Sequence, residues 1–146
     1  MEKDKWSHTN MNRRTLREQV FKLLFRVEFN TKEEMEEQCR LFLEHEDVEM
    51  SEKDADFIVG KYTNIHDKLE EIDAMINEKA KGWSTDRMGK VDLTIIRLAV
   101  YEMKYDEAIP DGVAINEAVE LAKKFGLDES AGFVNGVLAK FVKVAQ

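Results

Sequence analysis

Three histidines, one cysteine and a few adjacent acid pairs are the residues whose chemistry is sought first in this chain, and their spacing assembles no reactive site. No two of His8, His45 and His66 stand four residues apart on one helix face, as a zinc-type pair would require. A di-iron bundle needs Glu three residues before His, whereas Lys5, Phe42 and Thr63 hold those positions. Cys39 falls in the apolar stripe of a helix, where a thiol behaves as a small hydrophobe with a raised pKa. The pairs Glu33 with Glu34, Glu36 with Glu37 and Glu70 with Glu71 lie on solvated helix faces. Both members of each pair stay ionised there, and a catalytic dyad does not form. The chain carries no Gly-x-x-x-x-Gly-Lys-Ser/Thr loop, no Gly-x-Ser-x-Gly elbow and no glycine-rich turn from strand to helix. The expectation is a protein that is not an enzyme and takes no metal or cofactor.

Binding chemistry remains. The net charge of −8 argues against a polyanionic partner until its distribution is read. From Met1 to Arg26 seven basic residues (Lys3, Lys5, Arg13, Arg14, Arg17, Lys22, Arg26) stand against three acidic ones (Glu2, Asp4, Glu18). A basic start within an acidic protein confines an anionic ligand to one face, although an arginine-rich helix end can also be merely solvated. One cysteine cannot close an internal disulfide, and no apolar run suits a signal peptide or a membrane span, so a cytoplasmic location is expected.

The elements that must position these residues are helices. Residues 1–10 lack apolar periodicity and are expected to form a flexible tail. From Arg13, Leu16, Val20, Leu23, Leu24 and Val27 recur at helical spacing, while Phe21, Phe25 and Phe29 form a second apolar line on the same helix. That line is either sandwiched within the fold or partly a docking face. Thr31 with Glu34 has the form of a capping box opening a helix with Met35, Cys39, Phe42 and Leu43 inward. Ser51 with Asp54 opens a longer stretch from Ala55 to Ile76, either one helix or two with a break near Asn64 to Asp67. Gly82-Trp83-Ser84 interrupts the pattern and is the expected boundary between an N-terminal helical subdomain over 11–81 and a C-terminal one over 82–146. Val91 to Met103 form a helix that must stop before Pro110, with Asp111 and Gly112 finishing the turn. Ile115 to Phe125 form the next helix, with Gly126 placed for a left-handed cap. A last helix from about Asp128 turns Val134, Val137, Leu138 and Phe141 inward. The fold class expected is all-α, two three-helix bundles packed on each other.

Two stretches carry a family resemblance. Arg13-Arg14-Thr15-Leu16-Arg17-Glu18 opens the first helix with an arginine-rich start. The second stretch runs from Asp86-Arg87-Met88-Gly89-Lys90-Val91-Asp92 through Ile96 to Glu102 and Val113 to Lys123, ending in Phe133-Val134-Asn135-Gly136-Val137-Leu138. Together they resemble the NusB family of transcription antitermination factors, over nearly all of Met11 to Lys143. The resemblance implies two helical subdomains that bind the boxA element of single-stranded RNA as a heterodimer with the ribosomal protein NusE. It further implies that the complex joins RNA polymerase, chiefly on ribosomal RNA operons, and it leaves open a homodimer of the free protein. Carried over by position, the RNA surface falls on Arg13, Arg14, Arg17, Lys90, Ser130 and Phe133, and the partner surface on Phe25, Met88 and Asp92. Thr15 stands where some members have a further arginine, and Phe25 where some have tyrosine.

The residue types agree with part of this. Arginine binds phosphate bidentately, and an exposed phenylalanine offers a stacking platform to an unpaired base, although Phe133 beside the inward Val134 could equally be core. Arg97 and Glu102 are expected to form ion pairs within or between subdomains, and Asp92 could simply favour the start of its helix. Two other functions fit a helical module of this size: an accessory part of a ribosomal RNA methyltransferase, whose catalytic domain has no room here, and a purely protein-docking bundle.

Overall fold

Asn12 starts the first helix, its side chain accepting a hydrogen bond from the Thr15 N–H at 2.8 Å, as an N-cap should. Helix α1 (Arg13–Phe25) runs on into a 3-10 turn (Arg26–Phe29), and is followed by α2 (Lys32–His45) and α3 (Glu52–Asp67). Four further helices follow: α4 (Leu69–Lys79), α5 (Lys90–Tyr105), α6 (Asp111–Phe125) and α7 (Ser130–Ala139), with a second 3-10 turn (Thr85–Arg87) ahead of α5. This computed structural model describes residues 11–45 and 50–143, and all its regular elements there are helical. The expected tail over 1–10, with His8, lies outside the described residues.

The chain divides into two compact units between His66 and Asp67. In the first, Leu16, Val20, Leu23 and Leu24 of α1 are buried, as are Met35 and Phe42 of α2 and Ile58, Tyr62 and Ile65 of α3. The start of α1 is tied to α3, because the Met11 N–H donates to Asp54 Oδ1 at 3.2 Å. The turn after α1 is tied to α2 through Arg26, which donates to the Gln38 side chain and carbonyl at 3.1 and 3.3 Å. The capping box forms both of its bonds: Thr31 N–H to Glu34 Oε1 at 2.7 Å, and Glu34 N–H to Thr31 Oγ1 at 3.2 Å. Leu43, placed inward by periodicity, is exposed, because α2 buries only the narrower stripe through Met35 and Phe42.

The second unit packs α5, α6 and α7 against one another and lays α4 on α5. Ile72 and Ile76 of α4 are buried, as are Leu93, Ile96 and Val100 of α5. So are Ala114, Ala118 and Ala122 of α6, together with Val134, Leu138 and, just beyond α7, Phe141. Small alanines on α6 let its backbone approach its neighbours. A two-toothed ion pair locks α4 to α5, with Arg97 Nε to Asp73 Oδ1 at 2.9 Å and Nη2 to Asp73 Oδ2 at 2.8 Å. The division at His66/Asp67 therefore precedes the Gly82-Trp83-Ser84 interruption: the long periodic stretch breaks at Lys68, and its second half belongs with α5.

Two local expectations are corrected. Pro110 sits at the N-cap of α6, so Asp111 and Gly112 are the first helical residues and not the end of a turn. Gly126 has φ −97° and ψ −167°, which is extended and not left-handed; the left-handed glycine is Gly82, at φ +87°. A different constraint acts on Gly126, since a Cβ there would meet Ser130 and the Ala122 carbonyl oxygen at under 3 Å.

Candidate nucleic-acid interface

The loop from α4 to α5 is short and pinned. The Ala80 N–H returns to Ile76 O at 2.8 Å, and Gly82 takes the positive φ that reverses the chain. The Trp83 N–H bonds Ala80 O at 2.8 Å, and the Asn77 side chain accepts from the Thr85 N–H at 2.7 Å. The loop thus holds Trp83 in place while 49% of the residue stays exposed. Across from it on α7, the Phe133 ring meets the indole edge-to-face, with centroids 5.3 Å apart and planes at 69°. The Arg87 guanidinium lies 5.8 Å from the indole ring and donates to Gly82 O at 3.4 Å.

Below the aromatic pair is a cleft of about 470 Å³, lined by Trp83, Met88, Gly89, Asp92, Glu129 and Phe133. It opens between two helix starts, those of α5 at Gly89 and α7 at Glu129, neither capped by a side chain. Amides at helix starts carry partial positive charge, and the carboxylates of Asp92 and Glu129 sit where that field favours them. One cleft therefore gathers Phe133, expected from the family pattern on the RNA surface, with Met88 and Asp92, expected on the partner surface. Lys90 opens α5 beside it and is exposed, its carbonyl accepting from the Thr94 hydroxyl at 2.8 Å.

Ser130 is differently placed. It is 2% exposed, and its Oγ accepts from the Leu127 N–H at 2.9 Å while its own N–H returns to Leu127 O at 3.0 Å. Its hydroxyl therefore holds the turn into α7.

In the first unit, Arg13 and Arg14 are exposed at the start of α1, whose first turn contains no acid. Cations at a helix N-terminus oppose the macrodipole by about 0.3–1 kcal/mol each. Arg17 departs from this pair: it is only 5% exposed, so its side chain is largely withdrawn from solvent. The phenylalanine line grades outward along α1. Phe21 is buried, Phe25 is half-buried and Phe29 is 60% exposed, with Phe25 stacked on Phe21 at 6.1 Å and edge-to-face with Phe29 at 5.1 Å.

Among the described residues no cluster of His, Cys, Asp and Glu could hold a metal ion, and no helix is long and apolar enough to cross a membrane. Cys39 is half-buried, and burial pushes its thiol above the ordinary value, opposed only in part by the charge of Arg26.

Residues 14–143 match the model of the NusB family. The chain belongs to that family. It is 56% identical to the transcription antitermination protein NusB of Agathobacter rectalis over 131 residues, 90% of this chain and 99% of the relative. It is 46% identical to the NusB of Acetivibrio thermocellus, over 92% of this chain and 90% of the relative. Among solved structures, T. maritima NusB superposes with a TM-score of 0.78 at 34% identity, covering 90% of each chain. A crystal structure of the antitermination factors NusB and NusE in complex with double-stranded RNA matches with a TM-score of 0.76 at 25% identity, over 88% of this chain and 94% of the other.

Sequence reasoning passes over Trp83, Arg87 and Glu129, treating Trp83 only as part of an interruption between helices. A signal was present: a tryptophan between Gly82 and Ser84, in a loop with little apolar sequence around it, has few neighbours to bury it.

Proposed function

We propose that this chain is an RNA-binding transcription antitermination factor and not an enzyme. On this reading it binds boxA-type single-stranded RNA as a heterodimer with the ribosomal protein NusE. The heterodimer then joins RNA polymerase complexes in the cytoplasm, chiefly on ribosomal RNA operons. The observation that carries the reading is the identity of 56% to a transcription antitermination protein NusB, extending over 99% of that relative. The similar structure that holds NusB, NusE and RNA together supports the choice of partners.

Within the chain, Arg13 and Arg14 suit phosphate contacts, because exposed guanidiniums bind phosphate bidentately. Phe133 and Lys90 supply a stacking ring and a cation in the second unit. Ser130, which is buried, acts by holding the turn before α7 in shape rather than by reaching into solvent, and Arg17 is largely withdrawn from solvent. The family pattern assigns contacts with NusE to Phe25 in the first unit and, in the second, to Asp92 and to Met88, which is 7% exposed and lines the cleft.

The test changes Arg13 and Arg14 together to Glu and compares the affinity for a boxA-type RNA with the thermal stability of the protein. Loss of RNA affinity at unchanged or higher stability supports the assignment. Unchanged affinity would favour a protein-docking bundle whose arginines are only solubilising.

A further inference from the structure

We propose that the 3-10 turn Arg26–Phe29 is a preset docking edge for NusE, on which Phe29 enters an apolar hollow of the partner and Arg26 is the positioning residue that holds the ring out. The proposal rests on the reading above that NusE is the partner, and adds to it a contact residue and the device that presents it.

The turn is held by polar bonds and not by burial. None of its four residues is buried, and 3-10 hydrogen bonds are poorer than those of an α-helix. Arg26 supplies what is missing. Its Nη1 donates to the Gln38 side chain at 3.1 Å and to the Gln38 carbonyl at 3.3 Å, and its guanidinium lies 5.3 Å from the ring centroid of the fully buried Phe42. Its carbonyl accepts from Asn30 Nδ2 at 2.8 Å, which closes the far end of the turn. The capping box at Thr31 and Glu34 then fixes the chain that follows. Phe29 is therefore clamped from both sides while it stays 60% exposed.

A single exposed apolar side chain is ordinary on a protein surface, but this ring does not stand alone. Phe29 meets the half-buried Phe25 edge-to-face with centroids 5.1 Å apart, and Phe25 stacks on the buried Phe21 at 6.1 Å. The three rings make one apolar step that starts in the core and ends in water. Phe25 is the residue of the first unit that the family pattern turns towards NusE, so the step continues that contact outward, and continuity selects NusE as the occupant. The charges agree with a protein in place of a phosphate backbone. Glu28 lies in the turn and Glu33 and Glu34 in the first turn of α2, against Lys32, while Arg26 is committed to Gln38 and Phe42. Rigid aromatic side chains give up little freedom on docking, and such anchors carry much of an interface's affinity.

The test measures the affinity of the full chain for NusE by titration calorimetry. Phe29→Ala should weaken it about tenfold and Phe29→Tyr should retain most of it, both with a melting midpoint near that of the parent. Arg26→Met keeps an apolar stem near Phe42 but loses the donors. It should weaken NusE binding by a smaller factor and speed amide exchange across the turn. In the Phe29→Ala background Arg26→Met should change NusE affinity no further, an outcome that a general structural role for Arg26 would not give. Full NusE affinity in Phe29→Ala overturns the proposal and leaves the NusE reading intact. So does a loss of RNA affinity by Phe29→Ala in the absence of NusE, which assigns the ring to RNA. A self-associating parent that Phe29→Ala turns into a monomer with full NusE affinity assigns the edge to a second copy of the chain and also overturns the proposal. No binding of NusE by the parent sinks both readings.

Discussion

Gly126 packs against Ser130 so closely that an ideal Cβ on the glycine would lie 2.6 Å from both the Cβ and the Oγ of the serine, and 2.8 Å from the Ala122 carbonyl oxygen. Two of these three neighbours, Ser130 Cβ and the Ala122 carbonyl, are fixed by backbone and cannot yield as a flexible side-chain end would. Gly126→Ala should therefore destabilise the protein by about 1–3 kcal/mol through overpacking, measured by urea denaturation. A variant as stable as the parent would show that the turn into α7 relaxes freely.

Ser130→Ala separates structure from binding. Losing the acceptor for the Leu127 N–H should cost about 1 kcal/mol in the same denaturation assay. RNA affinity, measured well below the melting transition, should stay within about twofold of the parent, because the hydroxyl faces its own turn. A large loss of affinity at little cost in stability would restore Ser130 as a direct contact.

Charge reversal at the start of α1 should move stability and binding in opposite directions. Arg13→Glu with Arg14→Glu puts acids where the helix dipole favours them, adding up to roughly 0.3–1 kcal/mol per site. The same change should weaken RNA binding and flatten the slope of log affinity against log salt by about 0.7 for each phosphate no longer neutralised. A fall in both quantities together would mean that the arginines serve the fold.

Arg97 and Asp73 should behave as a matched pair. Their side chains are 10% and 26% exposed, so the bond is partly screened and worth less than a buried one. Arg97→Met should cost about 1–3 kcal/mol. Arg97→Lys should recover little of that, since an ammonium cannot make the two parallel bonds. Full recovery by lysine would show that charge alone matters.

Cys39 should react slowly. Desolvation holds its thiol above the ordinary value and favours the protonated form, so less thiolate is present at any pH near neutrality. Alkylation of the native protein should be slower than that of the urea-unfolded chain, and its rate should rise only at higher pH. Equal rates in the two states would contradict the burial argument.

The sequence made the helices legible where local chemistry decides them. The Thr31 and Glu34 box forms as its spacing implies, because both bonds are made within four residues. Ser51 and Asp54 resemble it only in part: Ser51 caps the Asp54 N–H at 3.1 Å, but the Asp54 carboxylate turns to the Met11 N–H, a partner 43 residues away that no local pattern announces. Arg13 and Arg14 stand exposed as their type suggests, whereas Arg17, one helical turn further along, is buried. Gly126 was legible as a required glycine but not for the right reason, which is a contact with Ser130 and not a backbone angle. Phe133 was singled out, but its contact with Trp83 was not, since the two rings are brought together by the packing of α5 on α7.

The measurement that tests the central claim most directly is fluorescence anisotropy of a labelled boxA-type RNA against this protein, with and without NusE, at two salt concentrations and beside a scrambled RNA. Binding that prefers the boxA-type sequence, tightens when NusE is added and weakens with salt is the result expected of an antitermination adaptor. Equal binding of both RNAs, or none even with NusE present, would contradict it.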